Sequence, residues 1–114
     1  MTATADRSAD AGAARSPDRY LSVHGARLRY RDEGRGPAVV LVHGWTLDLE
    51  MWEPQVAALR ASLRLVRLDR RGFGLSSGCP SVASDASDID AICRHLGLAR
   101  VALIGMSQGA RAVL

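Results

Sequence analysis

Three short apolar runs separated by helix-like segments constrain the fold of this 114-residue chain more than any other feature. The runs are AVVLVH (38–43), LRLVRL (63–68) and ARVALIGM (99–106). The first and third show no strict polar–apolar alternation, which is typical of strands buried on both faces. Because helical patterns lie between the runs, their order predicts an α/β fold, a mostly parallel sheet with helices on both faces.

The segments around these runs carry helix and turn signals. One helix is predicted to begin near Pro54, because proline is tolerated in the first helical turn. A second is predicted from Ser81 to Leu96, where apolar residues recur at helical spacing: Val82, Ala86, Ile89, Cys93 and Leu96. We expect three acidic residues of this helix to face water, where they suit the helix dipole: Asp85, Asp88 and Asp90. Upstream, residues 19–34 predict a β-hairpin that turns at His24 and Gly25.

The N-terminal segment and the two cysteines indicate where the folded part begins and in which compartment it lies. Residues 1–18 are small, polar and of mixed charge, which predicts a disordered tail before a domain portion at 19–114. The chain has no apolar run of the kind that a signal peptide or a membrane span requires. Cys79 and Cys93 lack metal-binding spacing, and Cys93 is expected to be a buried free thiol. We expect a cytoplasmic protein with no membrane contact, no metal site and no cofactor.

The net charge of +3 comes from fifteen basic residues, all of them arginine. Acidic residues offset the arginine-rich segments, and aromatic residues, which nucleic-acid binders use for stacking, make up only 4% of the chain. We therefore expect the arginines to lie on solvated faces, and we expect no nucleic-acid partner.

The sequence Gly105-Met106-Ser107-Gln108-Gly109 carries the first chemical signal, a G-x-S-x-G pattern between an apolar run and a helix-compatible ARAVL. Such a sharp strand-to-helix turn leaves little room for side chains, which suits glycine at 105 and 109. It would lift the Ser107 hydroxyl above the sheet, as in a nucleophile elbow, with the Gln108 N–H beside it. The alternative is a structural serine in a tight turn.

A second signal, His43-Gly44-Trp45, follows the first apolar run, and ligands of parallel sheets bind at the carboxyl ends of strands. Gly44 would let the backbone turn so that the Trp45 N–H faces the same space. With Gln108, this amide would form an oxyanion hole. His43 is interpreted as a strand-end residue that hydrogen-bonds the loop, and a Ser107–His43 pair is the alternative.

Taken together, HGWTLD, DRRGFGLSS and GMSQG, in this order and spacing, resemble the first half of an α/β-hydrolase-fold protein. The resemblance implies that Ser107 is the nucleophile, that Trp45 and Gln108 donate to the oxyanion, and that the loop from Asp69 is structural. Tryptophan after His-Gly resembles the esterase, lactonase and cofactor-free haloperoxidase (perhydrolase) branch. Relatives with an aspartate nucleophile, such as epoxide hydrolases, are disfavoured by serine at position 107.

In this fold the catalytic acid and histidine follow the serine along the chain, and neither residue type follows Ser107 here. We therefore expect a fragment of a serine hydrolase that cleaves an ester, lactone or similar small acyl compound through an acyl-enzyme. The fragment alone is expected to be inactive. The alternatives are a non-catalytic small-molecule receptor of the same fold and an acyltransferase or perhydrolase.

Overall fold

The computed structural model describes residues 16–113, which form a five-stranded sheet with helices on both faces. The strands are β1 (Arg19–Val23), β2 (Ala26–Gly34), β3 (Ala38–Val42), β4 (Arg64–Leu68) and β5 (Val101–Gly105). The helices are α1 (Glu53–Leu59), preceded by a 3₁₀ turn (Leu49–Trp52), α2 (Val82–His95) and α3 (Gln108–Ala112). The predicted strands and helices are therefore confirmed, with small differences at their ends.

The strand order is β1-β2-β4-β3-β5. β1 and β2 form the predicted hairpin, whose turn residues His24 and Gly25 have φ values of 32° and 80°, as a tight two-residue turn requires. β2 also pairs antiparallel with β4, whereas β3 lies parallel between β4 and β5. The carboxyl ends of β3, β4 and β5 therefore meet at one edge of the sheet, and within the described residues β5 is an edge strand.

Two apolar cores lie on opposite faces of the sheet, because successive strand residues point to opposite sides. α2 and α3 cover one core, which includes Leu28, Tyr30, Val40, Val66, Leu68 and Ile92. The 3₁₀ turn and α1 cover the other, which consists of Val39, Leu41, Trp52, Val56 and Leu65. β3 contributes to both cores, which explains why its sequence shows no polar–apolar alternation.

The prediction that the acidic residues of α2 face water is wrong for two of the three. Asp85 and Asp88 are buried, and they form ion pairs with Arg70 and Arg71 of the loop after β4. α2 is rotated so that its acidic side packs against this basic loop as well as against the core. Asp90 is exposed as predicted.

The expectation that the arginines lie on solvated faces is also wrong for four of them: Arg29, Arg31, Arg67 and Arg70. On β2 and β4, the residues of the first core alternate along the strand with residues that point to the opposite face. The latter point toward the 3₁₀ turn and α1, and several of them are charged. Arg67 binds Glu33 at 2.8 Å and Glu53 at 2.9 Å, so its buried charge is paired. Opposite charges on neighbouring strands therefore replace part of an apolar core.

The predicted tail falls mainly on residues 1–15, which lie outside the described residues. Asp18, at the end of the predicted tail, binds Arg31 at 2.7 Å and Arg29 at 3.3 Å, so it belongs to the folded part. Among residues 16–113, no helix combines the length and the apolar character needed to cross a bilayer.

The Arg67 cluster generates a stability prediction. We expect Glu33→Gln to lower the free energy of unfolding by about 3 kcal/mol, because the buried guanidinium of Arg67 then has an ion pair only with the partly exposed Glu53 among the described residues. Urea unfolding measures the change. Asp90→Asn is the matched control, since it breaks the exposed Asp90–Arg94 pair and should leave the unfolding midpoint nearly unchanged. Equal losses in both variants would contradict the buried-pair interpretation.

Candidate active site

Ser107 occupies the turn between β5 and α3 in a backbone conformation that is rare for any residue other than glycine. Its φ and ψ are 55° and −119°, and the residue is exposed. The Met106 N–H still donates to Val42 O at 3.0 Å, as in a strand, whereas the Gly109 N–H already donates to Met106 O at 2.9 Å. The chain therefore reverses at Ser107 alone, and its side chain stands at the carboxyl edge of the sheet.

Glycines at 105 and 109 are required by close backbone contacts. A Cβ on Gly105 would overlap the carbonyl of Gly109, and a Cβ on Gly109 would overlap the carbonyl oxygens of Val42 and His43. The first turn of α3 thus packs directly on the backbone at the end of β3. The steric reason proposed for these two glycines from the sequence agrees with these contacts.

The turn that follows β3 lies against the Ser107 turn. A Cβ built on Gly44 would lie 3.2 Å from the Ser107 Cβ and 3.1 Å from Met106 O. Leu47 N–H closes this turn on Gly44 O at 3.3 Å, with Thr46 at a φ of 61°. The structure therefore brings together the two sequence motifs that were singled out, although they are more than sixty residues apart.

The two predicted oxyanion donors, Trp45 and Gln108, lie in these touching segments. Gln108 begins α3, so its N–H has no helical acceptor, whereas the Ala110 N–H donates to Ser107 O at 3.0 Å. The Trp45 side chain is 56% exposed and contacts Phe73 edge-to-face, with ring centroids 5.2 Å apart. Leu47, in the same turn, and Met106, beside Ser107, are also exposed apolar residues.

His43 is fully buried and hydrogen-bonded at both ring nitrogens. Its Nε2 accepts from the Arg70 backbone N–H at 2.9 Å, so its Nδ1 carries the proton and donates to Gly44 O at 2.7 Å. Burial lowers the pKa of His43, which keeps the ring neutral near pH 7. This geometry supports the interpretation of His43 as a strand-end residue that holds the loop, and it leaves neither ring nitrogen free for Ser107.

Asp69 holds the loop after β4 in place. Its carboxylate accepts from the backbone N–H groups of Leu49 at 2.8 Å and Leu75 at 2.7 Å, and from Arg29 Nε at 2.7 Å. The residue is fully buried. Its contacts are those of a structural carboxylate, as the family resemblance implies.

Arg70 and Asp85 adjoin the site, and sequence reasoning missed both. Arg70 Nη2 donates to Gln108 Oε1 at 2.6 Å, and its Nε donates to Asp85 Oδ2 at 2.9 Å. Burial raises the pKa of Asp85, and the guanidinium of Arg70 opposes that rise. One signal in the sequence could have located Asp85: it precedes Ile89 by four residues and Ile92 by seven, so it shares their buried helix face.

Comparison with known proteins decides the family. The sequence model of one protein family, the alpha/beta hydrolase fold, matches residues 37–114, which is more than half of the chain. The chain belongs to the α/β-hydrolase fold family. It corresponds to the N-terminal part of that fold.

Individual members of the α/β-hydrolase family are similar over most of this chain. A non-heme haloperoxidase of Rhodococcus erythropolis is 34% identical over 89 residues, 75% of this chain and 32% of that protein. A hydrolase from Pseudomonas aeruginosa superposes with a TM-score of 0.79 at 31% identity, over 83% of this chain and 38% of that one. An enol-lactonase from Burkholderia xenovorans superposes with a TM-score of 0.77 at 34% identity, over 82% of this chain and 39% of that one. The chain spans about a third of the length of the curated relatives it matches.

The structure also bears on metal binding. Among residues 16–113, no three His, Cys, Asp or Glu side chains come together in a group that could hold a metal ion.

The buried His43 generates a pH prediction. Because its pKa is lower in the folded protein than the ordinary 6.5, the unfolded chain binds more protons just below pH 6.5. The free energy of unfolding should therefore fall as the pH drops below about 6.5, until the folded pKa is reached. Urea unfolding between pH 7.5 and pH 5, conditions chosen to span about one unit or more on each side of that value, measures the slope. His43→Gln should reduce this slope, whereas equal slopes in the two proteins would contradict the assignment.

Proposed function

We propose that Ser107 is the nucleophile of a serine hydrolase that cleaves an ester, lactone or similar small acyl compound. The observation that carries this proposal is the conformation of Ser107, with an exposed side chain and a φ of 55°, directly against Gly44. Strained backbone of this kind costs about 1–3 kcal/mol and persists at sites where the surroundings hold it for function. The proposal concerns the complete protein, since the chain spans only about a third of its relatives.

The proposed reaction begins when Ser107 Oγ attacks the substrate carbonyl carbon and gives up its proton to a base. The oxyanion that forms is held by the N–H groups of Trp45 and Gln108, each contributing about 2.7–4 kcal/mol of transition-state stabilisation. Collapse of the tetrahedral species expels the alcohol, which takes the proton, and leaves the acyl group on Ser107. Water then attacks the acyl-enzyme, releases the acid and restores the serine hydroxyl.

The base in this proposal is a histidine oriented by a carboxylate, and in this fold both follow the serine along the chain. We place them beyond residue 114. His43 is a poor candidate because Arg70 and Gly44 occupy both of its ring nitrogens. The proposal therefore assigns to residues 16–113 the nucleophile and the oxyanion donors, but not the proton shuttle.

Perhydrolysis is a second candidate, and the similarity to a non-heme haloperoxidase favours it. In that reaction hydrogen peroxide replaces water in the attack on the acyl-enzyme, so a peracid leaves and the serine is restored. Both reactions use the same acyl-Ser107 intermediate. Product analysis with and without hydrogen peroxide separates them.

Ser107→Ala in the full-length protein tests the nucleophile. We expect kcat for p-nitrophenyl acetate to fall by at least about 1,000-fold, because the variant lacks the hydroxyl that forms the acyl-enzyme in the proposed reaction. Ser87→Ala, which removes an exposed hydroxyl from α2, is the matched control and should leave kcat unchanged. A fluorophosphonate should label Ser107, as mass spectrometry would detect. Retained turnover in Ser107→Ala would refute the role, whereas a wild-type protein with neither turnover nor labelling would favour a receptor of the same fold.

The isolated 114-residue chain supplies a further prediction. We expect no p-nitrophenyl ester hydrolysis above the buffer rate, because among residues 16–113 no histidine or carboxylate hydrogen-bonds Ser107, and His43 has both ring nitrogens occupied. Turnover that is abolished by both Ser107→Ala and His43→Ala would contradict this expectation and revive the Ser107–His43 pair.

A further inference from the structure

Arg70 contacts both segments that carry the proposed oxyanion donors. Its Nη2 donates to Gln108 Oε1 at 2.6 Å, which ties the guanidinium to the first residue of α3. Its backbone N–H donates to His43 Nε2 at 2.9 Å, and its Nη1 lies 3.5 Å from His43 O. His43 directly precedes Gly44 and Trp45. A single buried residue therefore links the turn after β3 with the start of α3.

The guanidinium of Arg70 is itself held rigidly. Asp85 Oδ2 accepts from Nε at 2.9 Å and contacts Nη2 at 2.7 Å, and both side chains are at most 2% exposed. The Phe73 ring lies 5.0 Å from the guanidinium carbon, and the same ring supports Trp45. Because α2 carries Asp85, the 14-residue helix anchors this arginine. The paired charge is buried, and it has little freedom to move.

The Ser107 turn needs such an anchor. The strained residue is followed by a helix of only five residues, whose first amide is the proposed oxyanion donor. A displacement of about 1 Å in a reacting or stabilising group can cost about 100-fold in rate. The carboxamide of Gln108 is the one polar side chain of α3 that the structure ties to a buried group, among the residues it describes.

We propose that Arg70, fixed by Asp85, is a positioning residue that sets the Gln108 N–H relative to the Trp45 N–H. It acts through the Gln108 carboxamide and the His43 turn, and it does not contact the substrate. The proposal rests on the proposed function and adds to it a requirement for the side chains of Gln108 and Arg70. An ion pair that merely stabilised the fold would not need the contact with Gln108.

The neighbouring pair offers a matched control. Arg71 Nε donates to Asp88 Oδ2 at 2.9 Å and its Nη2 to Oδ1 at 2.8 Å, so it joins the same loop to the same helix. Its remaining contacts run away from the site, to His24 O at 3.0 Å and Val23 O at 3.5 Å in the hairpin. Removal of either arginine breaks an ion pair between loop and α2, but only Arg70 reaches the proposed oxyanion segments.

The experiment measures kcat and KM separately for three single variants and one double variant of the full-length protein. Gln108→Leu keeps the backbone N–H and removes only its side-chain tie, and we expect kcat to fall about 10- to 100-fold with little change in KM. Arg70→Met should do the same. The double variant should be no less active than the less active of the two single variants, because both substitutions remove the same interaction. Arg71→Met should lower Tm while kcat stays within about twofold of wild type.

Several outcomes would overturn the positioning role. One is a wild-type kcat in Gln108→Leu, which remains decisive even where Arg70→Met fails to fold. Another is an equal loss of kcat in Arg71→Met and Arg70→Met, which would indicate a purely structural ion pair. Fluorophosphonate labelling of Ser107 distinguishes the two proposals: labelling with unchanged kcat in Gln108→Leu refutes the positioning role alone, whereas no labelling of the wild-type protein refutes the proposed function.

Discussion

The contact between the first turn of α3 and the carboxyl end of β3 is the constraint on which the candidate site depends. Gly109 lies so close to the carbonyl oxygens of Val42 and His43 that no side chain fits between them. Because β3 and β5 are parallel neighbours, both turns leave the sheet at the same edge. Only glycine at position 109 allows the two backbones to approach so closely. This approach then brings Gly44 against Ser107.

Buried charge orders the rest of this edge. The loop after β4 uses Arg70 and Arg71 to bind two aspartates of α2, and Asp69 to bind backbone amides on either side. Buried ion pairs contribute little net stability, since desolvation offsets most of their attraction. Their geometry is specific, however, because a guanidinium fork accepts few orientations of a carboxylate. In this molecule they fix where the loop lies relative to α2, and Arg70 extends this arrangement to Gln108 at the start of α3.

The elements that could be predicted from sequence are those whose signals are local. The unbroken apolar run of β3, the helical period of α2 and the glycine spacing around Ser107 each depend on residues close together in the chain. The environment of Asp85 could not be predicted in this way, because its partner Arg70 is fifteen residues distant and meets it only after the loop folds back. The same holds for Arg67 and Glu33, which are thirty-four residues apart on paired strands. Charge patterning alone indicated solvent for these residues, and tertiary pairing placed them inside.

The position of His43 illustrates why proximity in sequence to a proposed site does not make a residue catalytic. To serve as a base for Ser107, its ring would have to release either Gly44 O or the Arg70 N–H. Either change would loosen the turn that carries Trp45, and protonation would place a charge in a site where burial already lowers the pKa. The ring thus stabilises the turn that carries Trp45 only while it stays neutral and fixed. A proton shuttle has the opposite requirements, so the two roles cannot reside in one histidine here.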